Sequence, residues 1–355
     1  MFTQGFRRFY MSLKGVPDRV PFIAQMHEFA MKWTREPAQK FYSDPQLLVQ
    51  RTIDTAVDFD FDIPWLGYDV YNIEIEALGI SIKYSDNSPP EIGETRPLIN
   101  DRRDFDRLVL PDPYSSKRMP FVLEANRLYE KTTGYPPPIQ FTSPFSMAVL
   151  VRGFENLIDD IYTNSDFAHE LLCFITENLL APWIITMKKE CPNATLFRGA
   201  DAMASLPMVN IKILEEFAVP YILRLKELCG DAVTAINWWG EKFLKTPEEM
   251  LRLKLKISPD LIQGQDPDVE AIGPEIFKNF AVKNRAALVL GVGNSFLQQS
   301  GEEAIRNRIA QYLKSGSSGG RFILYLCYLS AITPVDNVKA AVKAIKEYGT
   351  YSSNS

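Results

Sequence analysis

Eight short apolar runs recur along the chain, and nearly every one ends in a polar or reactive side chain. They are Arg19–Gln25, Asp60–Leu66, Pro138–Ser143, Ala194–Asp201, Ala232–Trp238, Asp260–Gln265, Ala286–Gly293 and Phe322–Tyr328. Longer segments with helical periodicity lie between most of them. Strands alternating with helices predict a parallel sheet. Eight such units predict an α/β chain folded as a closed (β/α)8 TIM barrel. In that fold the chemistry sits at the C-terminal ends of the strands, so the run endings are themselves the candidate site.

A chain of 355 residues exceeds the usual domain length, as barrels of this class often do. One domain over 1–355 is therefore expected. The rhythm breaks after the second run. Ile80–Tyr84 alternates like a surface strand and Asp86–Pro90 reads as a turn, so 73–97 is expected to be a β-hairpin insertion after strand 2. Helices are predicted over Gln46–Val57, Phe121–Lys131, Glu155–Tyr162 and Asp166–Lys189, and near 210–229, 268–281, 301–314 and 334–347. Ser43 and the Thr246–Glu249 capping box supply start signals.

The hydrophobic content of 46% and charged content of 23% suit a globular protein with a large core. The net charge of −5, with no basic block, argues against a nucleic-acid partner. Cys173, Cys191, Cys229 and Cys327 form neither a CxxC pair nor a disulfide framework. Free thiols in a reducing cytoplasm fit this usage. The N-terminus lacks the apolar centre of a signal peptide. The longest candidate membrane span, Phe322–Ile332, is too short to cross a bilayer and carries Ser330 and two tyrosines. The expectation is a cytoplasmic protein without a membrane partner.

Several ordered motifs carry a family resemblance. Leu326–Ala340 (LCYLSAITPVDNVKA) places Thr333-Pro334 six residues after Cys327 and Asp336-Asn337-Val338 just beyond. Glu74–Gly79, Ser143–Phe145 with Gly153, Gly199–Asp201 with Pro220-Tyr221, Gly264–Pro267 and Leu290–Gly293 follow the same pattern. Together they resemble the uroporphyrinogen decarboxylase superfamily over roughly residues 15–347. The resemblance implies a TIM-like barrel. One branch of that superfamily decarboxylates uroporphyrinogen; others are corrinoid-dependent methyltransferases. The decarboxylase needs arginines at the end of strand one to grip eight carboxylates, since the guanidinium fork binds carboxylate bidentately. Here that stretch is Gln25-Met-His-Glu-Phe29. The zinc-dependent methyltransferases carry His-x-Cys after strand five. Here that position reads Asn237-Trp238-Trp239, leaving Cys327 as the surviving family zinc ligand. Three-ligand zinc is therefore not expected at that place. What remains implied is the demethylating component of an O-demethylase-like system, acting on a small methyl ether, in all expectation an aryl one. It would pass the methyl group to cob(I)alamin carried by a partner corrinoid protein. The runner-up is a decarboxylase of a less anionic substrate. A third class is an inactive barrel that binds a tetrapyrrole or a protein.

Each candidate residue carries a structural alternative. His27 is a general acid or metal ligand at the end of strand one, or a satisfied core histidine; His169, mid-helix, reads as structural. Asp62 is the candidate carboxylate of strand two, with Asp60 and Asp69 as competing registers; the alternative is a salt-bridged or capping carboxylate. Asp201 is catalytic or organises its loop. Glu241 is an acid, a ligand or a solvated side chain. Trp65, Trp238 and Trp239 wall a ring-binding slot or simply pack. Asn237, Gln263, Gln265 and Asn294 are placed to hydrogen-bond an ether oxygen. Tyr328 can donate to the leaving group, and Cys327 reads as a small wall residue. A mixed metal site from His27, Glu28, Asp201, Glu241 and Cys327 stays open.

Overall fold

The computed structural model describes residues 2–85, 88–93 and 96–351, and divides into two compact units. The first takes the chain up to Pro37, Leu47–Gly67 and everything from Trp239 onward; the second takes Ala38–Gln46 and Tyr68–Trp238. Among the described residues nine strands form: β1 (Phe22–Ala24), β2 (Ile82–Ser85), β3 (Ser88–Ile92), β4 (Ile139–Thr142), β5 (Phe197–Ala200), β6 (Val233–Ile236), β7 (Leu261–Gln265), β8 (Ala287–Val292) and β9 (Phe322–Leu326).

In the first unit the strands run in the order β1-β9-β8-β7, all parallel. The first strand therefore pairs with the last, Phe22 opposite Leu324 and Ala24 opposite Leu326. Every residue of β8 and β9 is buried. That explains their unbroken apolar sequence, because a parallel strand is covered on both faces. Phe22, Ile262, Leu288, Leu290, Phe322 and Leu324 share one core with residues of the helices Pro274–Lys283, Glu302–Ser317 and Val335–Tyr348. In the second unit β4, β5 and β6 run parallel in sequence order, with Thr142, Ala200 and Ile236 in register at their C-terminal ends.

Seven of the eight runs contain a parallel strand; Asp60–Leu66 does not. Pro64 interrupts it with a residue that has no N–H to give a ladder, and Asp60 adopts φ 54. The segment is instead pinned by side chains. Asp62 accepts from Arg19 at 2.5 Å, from Arg8 at 3.3 Å and from the Phe22 backbone N–H at 3.1 Å. The helix Thr3–Ser12 packs directly on this segment. A Cβ added at Gly5 would sit 1.7 Å from the Asp62 carbonyl oxygen, so only glycine permits the approach.

The hairpin is present as β2 paired antiparallel to β3, Ile82 opposite Ile92. It is shorter than the 73–97 insertion read from the sequence, because Val70–Ala77 is helical. Asp86 and Asn87 of the anticipated turn lie outside the described residues. Helices replace the predicted segments with small shifts. The 268–281 segment is broken at Gly273, which has φ 90. Neither anticipated cap forms through its side chain: the Ser43 hydroxyl donates to the Gln39 carbonyl, and Thr246 accepts from Glu249 N–H with its carbonyl. The run Ser165–Glu190 is helical throughout and long and apolar enough to cross a bilayer by length and composition. Interspersed polar residues hid it from a search for unbroken apolar sequence. Within its most apolar window 56% is buried inside the protein, as in a core helix.

The pinning of Asp62 sets a stability contrast. Asp62→Ala leaves two arginines and a backbone N–H without their acceptor in a buried place and should cost about 3–5 kcal/mol. Asp18→Ala, at the exposed end of the same Arg8, should cost less than about 1 kcal/mol. Urea denaturation of both variants reads the difference; equal costs would refute the pinning role.

Candidate functional site

The ends of β1 and β9 bring together three polar side chains of the first unit. After β1 the chain hydrogen-bonds across to the end of β9: Gln25 N–H donates to Leu326 O and Leu329 N–H to Gln25 O, while the Tyr325 hydroxyl donates to Gln25 Oε1 at 2.9 Å. The helix His27–Trp33 begins there. His27 is 5% exposed, and burial pushes its imidazole down to about 4, so the ring is neutral at pH 7. Its edge lies over Gly67, where a Cβ would come within 3.2 Å of Cδ2, and the ring makes a T-shaped contact with the Tyr328 ring, centroids 6.3 Å apart. Glu28 is 4% exposed. Burial raises its carboxyl to about 7, with the Ala331 N–H opposing the shift. The Tyr328 hydroxyl donates to Glu28 Oε1. Tyr328 holds a left-handed backbone, φ 51, uncommon for a bulky residue and a feature that clusters at functional positions.

The other first-unit candidates have partners of their own. Asp62 is taken up by Arg8 and Arg19 as described. Glu241 is buried and ion-paired to Lys254, whose ammonium also donates to Gln263 O at 2.9 Å and lies 5.0 Å over the Trp239 ring. Glu241, Gln263 and Trp239 are thus gathered by one lysine. Trp65 is buried against Phe9, ring centroids 5.8 Å apart. Asn294 accepts from Gln298 Nε2, which also donates to Ser330 Oγ. Asp60 is 83% exposed and paired with Lys346, away from any strand end. The Cys327 thiol is buried, and burial followed by the Asp266 charge raises it well above its ordinary range. A protonated thiol is a poor metal ligand.

In the second unit the ends of β4, β5 and β6 meet around Asp201. Its Oδ1 accepts from Ser146 N–H at 3.0 Å and Ser146 Oγ at 2.8 Å; its Oδ2 accepts from the Trp238 indole N–H at 2.9 Å. Burial raises this carboxyl to about 6, the three donors opposing the shift. Asn237 has φ 69, its carbonyl accepts from Ser205 Oγ, and its side chain hydrogen-bonds the Tyr71 hydroxyl. The Ala202 N–H also donates to Tyr71 Oη at 2.9 Å. Tyr71 carried no sequence signal beyond its place after the second run. Asp69, the other register for the strand-two carboxylate, receives both terminal nitrogens of Arg118 at 2.8 Å and serves as a strut. Tyr221 holds His169, which stacks on Phe217.

Among the described residues no three His, Cys, Asp or Glu side chains gather as metal ligands would. A surface groove is lined by Trp33, Arg35, Gln50, Arg51, Asp54 and Asp58 among others. None of its lining residues belongs to the candidate set.

The whole pattern of strands, motifs and spacings has a match. The uroporphyrinogen decarboxylase (URO-D) family matches the chain over residues 7–348. The chain belongs to that family. Its fold is the family's (β/α)8 barrel, as the eight runs led one to expect. Among solved structures it is similar to a methyltransferase from Methanosarcina mazei, with 20% identity, 96% of this chain and 98% of that chain covered, and a TM-score of 0.78. A B12-independent methionine synthase from Shewanella sp. W3-18-1, solved with selenomethionine, shares 12% identity over 85% of each chain at a TM-score of 0.46. No curated protein matches the chain in sequence.

Family membership draws attention to motif residues that join distant segments. Glu74, in the motif Glu74–Gly79, is buried and accepts from Thr142 N–H at 3.0 Å, Thr142 Oγ1 at 2.8 Å and Trp183 Nε1 at 3.2 Å. It joins a helix to β4. Asn337 donates to Leu297 O and Ser300 O. Asp266, in the motif Gly264–Pro267, accepts from Gly293 N–H, Arg308 and Tyr312.

The Asp201–Trp238 bond is directly observable. Trp238 emission should titrate with a midpoint near pH 6, as the carboxyl facing its indole gains or loses charge. Asp201→Asn should remove that component. A titration unchanged in the variant would disprove the assignment.

Proposed function

We propose that the protein is a corrinoid-dependent methyltransferase that demethylates a small, uncharged, in the first instance aryl, methyl ether. It would work with a separate corrinoid protein, in a reducing cytoplasm that suits its four free thiols. The observation that carries this reading is the uncharged end of β1. A substrate with eight carboxylates needs cations there; Gln25, a neutral His27 and a Glu28 protonated up to about pH 7 offer none. Membership of a family with methyltransferase branches and the likeness to the Methanosarcina methyltransferase support the same choice.

The reduced corrinoid, when its carrier protein is bound, supplies the nucleophile that accepts the methyl group. This chain's residues deal with the other half of the reaction. The methyl carbon–oxygen bond breaks with its electron pair on oxygen, and the leaving oxygen then needs a proton or a strong hydrogen bond. The Glu28–Tyr328 pair holds such a proton in a site shielded from water. In the second unit Asp201 fixes the indole of the buried Trp238. The family's zinc site does not fit these residues: Asn237-Trp238-Trp239 replaces two ligands and Cys327 is held protonated. No step is routed through zinc.

Mixed with a reduced corrinoid protein and guaiacol- or veratrole-like ethers, the protein should form methylcobalamin. Silence across a broad ether, amine and thiol panel would count against the reading, and carbon dioxide release without corrinoid would favour decarboxylation. Because the folded Glu28 value is raised, the acid form is present below about 7 and lost above it. The rate should therefore fall as pH rises through about 7. Glu28→Gln should flatten that limb and slow turnover by roughly 10²-fold; an unchanged pH profile would exclude Glu28 as the acid.

A further inference from the structure

The amides near the strand ends differ in what they already hold. The Asn294 side chain accepts from Gln298 Nε2 at 2.7 Å, and Gln263 is buried with its carbonyl taken by Lys254. Gln265 is another case. Among the described residues no group hydrogen-bonds its side-chain amide. The residue is partly covered, and both amide atoms stay open to water.

The sequence of β7 fixes where this amide stands. Ile262 joins the core shared with the helices, and a Cβ on Gly264 would come 2.5 Å from the Phe277 ring. These two residues therefore face the helices. Side chains alternate along a strand, so Gln265, at the end of β7, faces the opposite side. It lies opposite Gly291 of β8, and Gly291 lies opposite Tyr325 of β9. A Cβ on Gly291 would come 2.7 Å from Gln265 Cβ and 2.2 Å from Cys327 Sγ. The bare glycine lets the stem of Gln265 and the thiol lie side by side. Tyr325 spends its hydroxyl on Gln25 Oε1. The Gln265 amide is thus the unspent donor and acceptor of this row, at the strand ends where a barrel binds its substrate.

A primary amide offers an N–H donor and a C=O acceptor side by side. Two neighbouring groups of complementary kind satisfy both at once, as the donor and acceptor on an adenine edge do for glutamine. On an aromatic ring that pair is a methoxy oxygen beside a free hydroxyl. Two neighbouring methoxy groups are both acceptors and leave the amide carbonyl unpaired.

We propose that Gln265 recognises the substrate at two points, its N–H donating to the ether oxygen and its carbonyl accepting from a hydroxyl on the neighbouring ring carbon. The inference rests on the methyl-ether reading and deepens it: the substrate class is an ortho-methoxyphenol rather than a fully etherified ring.

The test is equilibrium binding of 2-methoxyphenol and of 1,2-dimethoxybenzene to wild type and Gln265→Leu, followed by calorimetry without any corrinoid. Wild type should prefer the methoxyphenol by about tenfold, as one neutral hydrogen bond allows. Gln265→Leu should lose that preference. Gln265→Met, of similar reach and also without the amide, gives the same reading should the leucine variant fail to fold. The ratio of the two affinities is read within each protein, so a general loss of stability does not mimic the effect. Equal affinities in wild type, or a preference that survives in the variants, overturn the role of Gln265 and leave the methyltransferase reading intact. Wild type that binds neither ligand also overturns the contact, and methylcobalamin formation with the wider ether panel then decides separately whether the methyltransferase reading falls with it.

Discussion

At the ends of β1 and β5, His27, Glu28 and Asp201 are taken out of water with no cation among the causes that set their titration. Removing a charge from water costs several kcal/mol. A neutral hydrogen bond returns about 1 kcal/mol, too little to hold the charge. His27 gives up its charge, and the carboxyls of Glu28 and Asp201 keep their protons to higher pH than usual. The shift of Glu28 from 4.5 to about 7 corresponds to about 3 kcal/mol at 1.4 kcal/mol per unit, three times what one such bond returns. The strand end of the first unit thus carries protons and hydrogen-bond donors but little charge.

Carboxylates elsewhere follow the opposite rule and thereby reveal their role. Asp62 has Arg8 and Arg19, Asp69 has Arg118, Glu241 has Lys254 and Asp266 has Arg308. Asp62, Asp69 and Asp266 join segments distant in sequence, and Glu241 reaches Lys254 thirteen residues on. They are struts that keep strand ends and the loops after them in place. These paired carboxylates hold the fold, whereas burial sets the titration of Glu28 and Asp201 with no basic partner.

Much of this was legible beforehand, because burial on both faces writes itself into sequence as unbroken apolar runs. Seven runs became strands on that ground, and the hairpin announced itself by alternation at Ile80–Tyr84. The run Asp60–Leu66 misled because its apolar residues are buried, while Pro64 and the side-chain bonds of Asp62 hold it by other means than a ladder. The strand-two carboxylate failed for the same reason: Asp60, Asp62 and Asp69 look alike in sequence, and only their partners tell an exposed ion pair from two buried struts. Glu241 was unreadable without Lys254, thirteen residues on. Glu28 owes its significance to burial and to a neighbour far along the chain, Tyr328. No local pattern encodes such a pairing.

The central claim is that the missing arginines, replaced by neutral groups at the end of β1, set the protein apart from porphyrin decarboxylation. Titration calorimetry with an octacarboxylate porphyrin and with a neutral dimethoxybenzene tests it most directly. Heat of binding from the neutral ether and none from the porphyrin is the predicted result. Micromolar binding of the porphyrin, weakening steeply with added salt, would contradict it.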